Sequence, residues 1–378
     1  MALEVLQLNL HLDRSRAPAD MLRDWHSLVD VAVSAATAGI RVSVVQACAT
    51  DALIREQGVD FHFVGIPETG GTLTRSPAFQ GLLQKLAPDV AHVHGLGFPR
   101  EVLELRMLAP RLPILVQDHA DRVPRFWRHS IWRRAMAQCA AIAFCARDQA
   151  HPFQRAGLLT RRTEIFEIPE STSGFVPGEQ SQARAAAGID GDPCVLWIGH
   201  LDANKDPLTV LEAVSRASAE LPRLKLWCCF GSAPLRAQVE ARIARDPSLR
   251  ERVTLLGRVP HERVEVLMRA ADLFVLGSHR EGSSFSLIEA LATGLTPVVT
   301  DIASLRALTG HGAVGELWPC GDAAAGAQAL RRAAATLGAN RRAAVRAHFD
   351  ARLSHRAVGA RLAEAYGRIA HATVRPAA

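Results

Sequence analysis

The sequence predicts two doubly wound α/β domains in tandem. Three observations lead there. Short apolar runs of strand type alternate with helical patterns along most of the chain. A stretch rich in Pro, Gly and Ser interrupts that rhythm between residues 169 and 193, after which it restarts. At 378 residues the chain is also long for one hydrophobic core. Strands that alternate with helices imply a parallel sheet covered on both faces.

The elements follow in order. Val5 to Leu10 reads as a first strand, and its Glu4 and lack of a basic leader argue against a signal peptide. Leu22, Trp25, Leu28, Val29 and Ala32 then share one helical face that stops at Gly39. Strand patterns recur at Val42–Val45, Phe61–Val64, Val90–Val93, Ile114–Val116, Ala141–Phe144 and Ile165–Ile168, with helices near Phe79–Leu86 and Val102–Leu108. Residues 1–168 therefore form a first domain and 169–193 a linker. Residues 194–350 form a second domain, with strands at Val195–Ile198, Leu224–Phe230, Val253–Leu255, Leu273–Leu276 and Pro297–Thr300. In 351–378, Val358, Leu362, Tyr366 and Ile369 lie at helical spacing that suits packing back on the first domain.

Composition bounds the function. Apolar residues at 48% and charged residues at 22% are those of a globular protein. A formal charge of +6 permits anionic small molecules or a membrane surface without requiring nucleic acid, which is not expected as a partner. The seven Cys show no paired metal spacing, and adjacent Cys228 and Cys229 in an apolar run read as buried free thiols. That usage fits a reducing, cytoplasmic setting. No apolar run reaches membrane-spanning length. Arg122 to Arg134 carries five Arg beside Trp127 and Trp132. It suits either peripheral contact with a membrane surface or an ordinary helix whose Arg stems cover buried rings.

The most informative stretch is His279 to Ala290. It joins a strand pattern at Leu273–Leu276 to a helical pattern that ends at Gly294, so it is a strand-to-helix turn, where open parallel sheets bind ligands. The helix is expected to begin near Ser284, capped by its hydroxyl. Its first N–H groups, among Ser283, Ser284, Phe285 and Ser286, would form a phosphate site. Glu281 and Glu289 flank that site, and each carboxylate suits a vicinal diol such as ribose or a pyranose. The alternative is that both merely complement a helix dipole. A second turn, Gly199-His200-Leu201-Asp202-Ala203-Asn204-Lys205, offers a tight backbone at Gly199 and a cation at Lys205 that can reach a phosphate oxygen.

These stretches together resemble the donor-binding half of glycosyltransferase family 4. Glu281-Gly282 with Glu289-Ala290 matches its paired-glutamate turn. Gly199-His200-Leu201 with Lys205 matches its first glycine turn and Leu256-Gly257-Arg258-Val259 its L-G-R-V, and Ala292 to Asp301 resembles its A-x-G-x-P-V-V stretch with one further residue between Gly294 and Pro297. The matches cover roughly Val195 to Asp322. More weakly, Pro88 to Gly95 resembles the strand ending in H-x-H, and Gln117-Asp118-His119 the place of a histidine near the donor sugar. The resemblance implies the GT-B fold, two Rossmann-like domains facing a central cleft. It also implies a retaining transferase that takes a nucleotide-diphosphate sugar as donor and needs no metal or other cofactor. His92 and His94 alternate on one strand with no visible third ligand, so no metal site is assigned.

The implied roles follow residue by residue. Glu281 and His119 stand at the reacting sugar, and Glu289 holds the ribose. Lys205, helped by His200, stabilises the leaving diphosphate with the Ser283–Ser286 backbone and Gly199. Arg258 and Val259 line the base. The acceptor is a carbohydrate, a lipid-linked sugar or a small molecule. Two departures stand out: His200 replaces the expected Arg, and the first loop, Leu12 to Pro18, has no Gly. They leave open a catalytically weak nucleotide-sugar-binding protein, or a nucleotide-sugar epimerase of the same fold.

Overall fold

The structure is a computed structural model and describes residues 2–68 and 71–374. Met1 and residues 375–378, the ends of the first and last predicted segments, lie outside the described residues. The chain divides into two compact units. One runs to Thr172 and takes in the helix from His355; the other is Ser173–Ser354.

The first unit is built on strands β1 (Glu4–Asn9), β2 (Arg41–Cys48), β3 (Ala52–Glu56), β4 (Val59–Gly65), β5 (Val90–His94), β6 (Ile114–Gln117), β7 (Ala141–Phe144) and β8 (Glu164–Glu167). Their order across the sheet is β3-β4-β2-β1-β5-β6-β7-β8. Every pairing is parallel except β3 with β4. β3 departs from the expected all-parallel alternation. Gln57 and Gly58 both take positive φ, 49° and 79°, which makes a two-residue turn whose twist suits a hairpin. The single helix expected over Leu22–Ala32 is two, Pro18–Asp24 and His26–Thr37, separated at Trp25 (φ −107°, ψ 73°).

The C-terminal helix His355–Val374 belongs to this unit. Val358, Leu362, Ala365, Tyr366 and Ile369 are buried in one core with Leu28, Val31, Ala32 and Ala35 of the helix His26–Thr37. Contact between the two helices is close because Gly359 has no side chain. A Cβ there would lie 2.1 Å from the Ser34 carbonyl oxygen. Replacement of Gly359 by Ala is therefore expected to destabilise the protein by about 1–3 kcal/mol through overpacking, although Ala favours a helix interior by roughly 1 kcal/mol. Chemical denaturation measures it; a more stable Gly359→Ala variant would mean that the helices are not pinned at this contact.

The second unit carries β9 (Cys194–Gly199), β10 (Lys225–Phe230), β11 (Val253–Gly257), β12 (Leu273–Leu276), β13 (Thr296–Thr300) and β14 (Glu316–Trp318), in the order β11-β10-β9-β12-β13-β14 and all parallel. The stretch 169–193, read as linker, contains a helix, Gln180–Ala187, that packs into this unit. Gln180 and Arg184 both bond the Ala270 carbonyl and the Asp272 carboxylate, the latter at 2.8 and 2.6 Å. Its Ala-rich sequence, with Gly188 at φ 68° closing its end, hides a helix inside what looks like a loop. Cys228 and Cys229 are buried free thiols on β10, and burial pushes the Cys229 thiol up to about 12.

In each unit the chain order reverses across one pair of adjacent strands. In the first the pair is β1 and β5; in the second it is β9 and β12. Loops leaving the carboxyl ends of such a pair diverge to opposite faces and open a crevice between them.

Candidate functional site

In the second unit the two loops at that crevice are Gly199–Asp206, after β9, and Gly277–Ser284, after β12. Hydrogen bonds knit them together. The His279 amide donates to the Asn204 carbonyl at 2.8 Å, and Asn204 Nδ2 donates to the Arg280 carbonyl at 2.9 Å. Gly277 allows the approach, because a Cβ there would meet Val210 at 2.9 Å and the Asp206 carbonyl at 3.1 Å. Asp206 caps the helix Pro207–Ala217 by accepting from the Thr209 amide, and also meets His279 Nε2 at 2.9 Å.

This knot brings Lys205 and Glu281 together. Lys205 Nζ lies 2.5 Å from Glu281 Oε1, with the two side chains 16% and 10% exposed. Asp202 holds the Lys205 backbone by accepting its amide at 2.9 Å, and Ser304 Oγ donates to the Glu281 carbonyl at 3.1 Å. A cation and an anion thus stand side by side, mostly removed from bulk solvent, where their fields are screened less than at a surface.

Glu289 sits in the helix Phe285–Ala292 and engages a different partner: His261 Nε2 is 2.6 Å from its Oε1. His261 opens the helix His261–Ala270 and packs its ring against Phe175, with centroids 4.8 Å apart. It follows Leu256-Gly257-Arg258-Val259-Pro260 directly, and that adjacency was the available sequence clue to it. Arg258 itself is exposed and Val259 half-buried.

One expectation fails. Ser284 begins the helix but does not cap it with its hydroxyl. Its backbone is left-handed, φ 38° and ψ 82°, and its buried Oγ has no hydrogen-bond partner among the described residues. Left-handed backbone does not by itself forbid a cap, since Asp206, at φ 43° and ψ 58°, caps the helix Pro207–Ala217; its longer side chain reaches the Thr209 amide, whereas the short Ser284 hydroxyl makes no such bond. Ser283 is buried, Ser286 Oγ reaches the Ile198 carbonyl at 3.4 Å, and Phe285 is 45% exposed. His200 Nδ1 accepts from the Ser232 amide at 3.2 Å, which in the neutral ring places the proton on Nε2 of this exposed side chain.

The first unit brings together a separate polar group at the ends of β5 and β6. His92 and His94 are buried and stacked, with ring centroids 4.3 Å apart. His92 Nδ1 meets the Tyr366 hydroxyl at 2.8 Å, and Gln7 Nε2 donates to the same hydroxyl at 3.3 Å. His94 Nδ1 lies 3.0 Å from His119 Nε2, and His119 Nδ1 lies 2.8 Å from Glu170 Oε2. Burial drives His92 down to about 3 and His94 well below the usual histidine range. His119 sits in a tight turn in which Asp118 accepts the amides of Ala120 and Asp121, and Asp121 accepts those of Leu96 and His119. Burial, with Asp121 and Glu170 nearby, raises Asp118 to about 7. Glu170 lies 51 residues beyond His119, and nothing in local sequence pattern links them.

The segment Arg122–Arg134 divides. Trp132 is buried and stacks on Phe153, whereas Phe126 and Trp127 are 78% and 60% exposed, with the Arg125 guanidinium 5.2 Å above the Trp127 ring. Among the described residues no helix is long and apolar enough to cross a membrane, and no cluster of three or more His, Cys, Asp or Glu could hold a metal ion.

Parts of this chain are similar to known proteins. Residues 192–336 match the family "Glycosyl transferases group 1". D-inositol 3-phosphate glycosyltransferase of Nocardia farcinica is 32% identical over 166 residues, 41% of this chain and 36% of that protein. GDP-mannose:cellobiosyl-diphosphopolyprenol alpha-mannosyltransferase of Xanthomonas campestris is 23% identical over 235 residues, 60% of this chain and 59% of that one. The chain thus spans from about a third to three fifths of the length of these relatives. Sucrose-phosphate synthase of Thermosynechococcus elongatus superposes with a TM-score of 0.71 at 20% identity, covering 98% of this chain and 100% of that one. The chain has the GT-B fold and is related to the nucleotide-sugar transferases that share it.

Proposed function

We propose, from that relationship, that this chain is a retaining glycosyltransferase that moves a sugar from a nucleoside-diphosphate sugar to a hydroxyl acceptor. The observation that carries the reading is the Lys205–Glu281 pair at the crevice of the second sheet. As a glycosidic bond to diphosphate breaks, positive charge grows on the sugar and negative charge on the leaving group. A fixed cation beside a fixed carboxylate complements both, and preorganised charges cost no reorganisation at that moment.

In this reading Lys205 meets the diphosphate, assisted by His200 Nε2–H and the first amides of the helix Phe285–Ala292, beyond Gly199. Glu281 faces the sugar. Glu289, held by His261, binds the ribose hydroxyls, with Arg258 and Val259 beside the base. His119 serves the sugar from the first unit. No metal is called on for these steps. Release of nucleoside diphosphate from UDP-, GDP- and ADP-sugars, followed with a mixture of sugar, lipid-linked and small-molecule acceptors, tests it. Release that depends on acceptor supports transfer. Binding without release would identify a nucleotide-sugar-binding protein, and an epimer formed from donor alone an epimerase.

The chemistry of Phe126 and Trp127 among Arg122, Arg125, Arg128, Arg133 and Arg134 supports peripheral contact with an anionic membrane, and with it a lipid-linked acceptor. Co-sedimentation with phosphatidylglycerol vesicles is expected for the intact chain and is expected to be lost in the double variant Phe126→Ser, Trp127→Ser. Equal sedimentation of the two would remove this surface from the account.

A further inference from the structure

The group around His119 does more than fill space. A buried carboxylate needs a cation or several donors, and Glu170, 5% exposed, has the His119 Nδ1 at 2.8 Å. The other ring nitrogen, Nε2, is 3.0 Å from His94 Nδ1. His94 is itself buried and stacked on His92, and its own Nε2 has no hydrogen-bond partner among the described residues. Both nitrogens of His119 are therefore engaged by protein. Yet its side chain remains 29% exposed, so what it shows outward is carbon.

We propose that Glu170 is the positioning residue for His119. Its carboxylate holds the ring by Nδ1 and His94 closes Nε2, so that His119 presents its carbon edge and its charge, and no ring nitrogen, to a bound sugar. The proposal rests on the reading of His119 as a sugar-side residue.

Proton accounting is consistent with it. In the imidazolium state Nδ1–H donates to Glu170 and Nε2–H donates to His94 Nδ1. His94 then keeps its one proton on Nε2 and stays neutral, as its burial demands. The groups around His119 favour this state. Burial alone would push its pKa down, but the Glu170 carboxylate, through charge and hydrogen bond, together with Asp121 and Asp118 outweighs burial and raises it. On the opposite side the neutral, stacked His94 and His92 offer no competing base in this pH range. Carbon-bound hydrogens of an imidazolium carry much of its positive charge. Such an edge attracts the oxygen lone pairs of a sugar lying against it without forming a directed bond.

The test uses the intact protein labelled with ¹⁵N-histidine. The ring nitrogens of His119, assigned by their loss in His119→Gln, are expected to show a proton held on Nδ1 in wild type in the neutral as in the charged ring. Its titration midpoint is expected to fall in Glu170→Gln, which keeps the shape and removes the charge. Transfer by Glu170→Gln is expected to drop by up to about tenfold for each unit by which that midpoint falls, at pH values above the wild-type midpoint, and to recover toward pH 6, where the imidazole protonates unaided. A neutral His119 that carries its proton on Nε2 in wild type overturns the proposal, and needs no variant to fold. So does a midpoint that Glu170→Gln leaves unmoved. A shifted midpoint with transfer unchanged at every pH would overturn the role toward substrate. The spectra require no donor, so absence of diphosphate release from the wild type would defeat the transferase reading separately.

Discussion

Deletion of residues 355–378 is expected to leave the first unit without a stable fold. The helix His355–Val374 packs with the helix His26–Thr37 in the core on one face of the eight-stranded sheet. Val358, Leu362, Tyr366 and Ile369 are each 1% exposed or less. At about 1.5–3 kcal/mol for each large apolar side chain, before the entropy of ordering the helix, their loss removes about 6–12 kcal/mol. That is the size of the whole stability of a typical domain, about 5–15 kcal/mol. The deletion also uncovers the apolar face of the helix His26–Thr37 and strips His92 of its Tyr366 partner. Calorimetric melting of the full chain and the truncated one measures this. A truncated protein that melts as the full chain does would show that the helix is an appendage.

The second large effect concerns Glu281 and Glu289, which have different partners and are expected to fail differently. Glu289 is assigned to the ribose, which does not react, so its contact is the same in ground and transition states. Replacement by Gln should raise the donor KM more than it lowers kcat. Glu281 is assigned to the sugar, where positive charge appears only as the bond breaks. Glu281→Gln should therefore lower kcat by a factor equivalent to about 2.7–4 kcal/mol, with donor affinity little changed. The amide can still accept from Lys205 Nζ, which keeps the lysine in place and isolates the loss of charge. Small, equal effects at both positions would return the two residues to ordinary acidic flanks of a helix start.

Much of this architecture is legible in the residues because hydrophobic period and turn chemistry are local. The apolar runs of β5, β6, β7, β9, β12 and β13 lie where their patterns place them. The spacing of Val358, Leu362, Tyr366 and Ile369 declares a buried helical face. β3 escapes because it is mostly solvent-facing, ends in the charged Arg55 and Glu56 and lies at a sheet edge, so its pairing with β4 depends on the Gln57-Gly58 turn more than on side-chain pattern. The helix Gln180–Ala187 hides among Pro and Gly because it is small and stabilised by Asp272, a residue far along the chain. The Ser284 cap was inferred from residue type, but a cap also depends on the reach of the side chain from its backbone conformation: Asp206 caps from left-handed backbone and the shorter Ser284 does not. His261 and Glu170 went unseen because their contacts, to Glu289 and His119, join loops distant in sequence. Only the folded sheets bring those loops side by side.

Calorimetric titration of UDP, GDP and ADP against the intact chain and against Glu289→Gln tests the central claim most directly, since it reads the nucleotide site without needing the acceptor. One of the three nucleotides is expected to bind the wild type, and Glu289→Gln to weaken it by about tenfold, the worth of about one hydrogen bond to a charged group. Absence of binding by all three, or the same affinity in Glu289→Gln as in wild type, would contradict it.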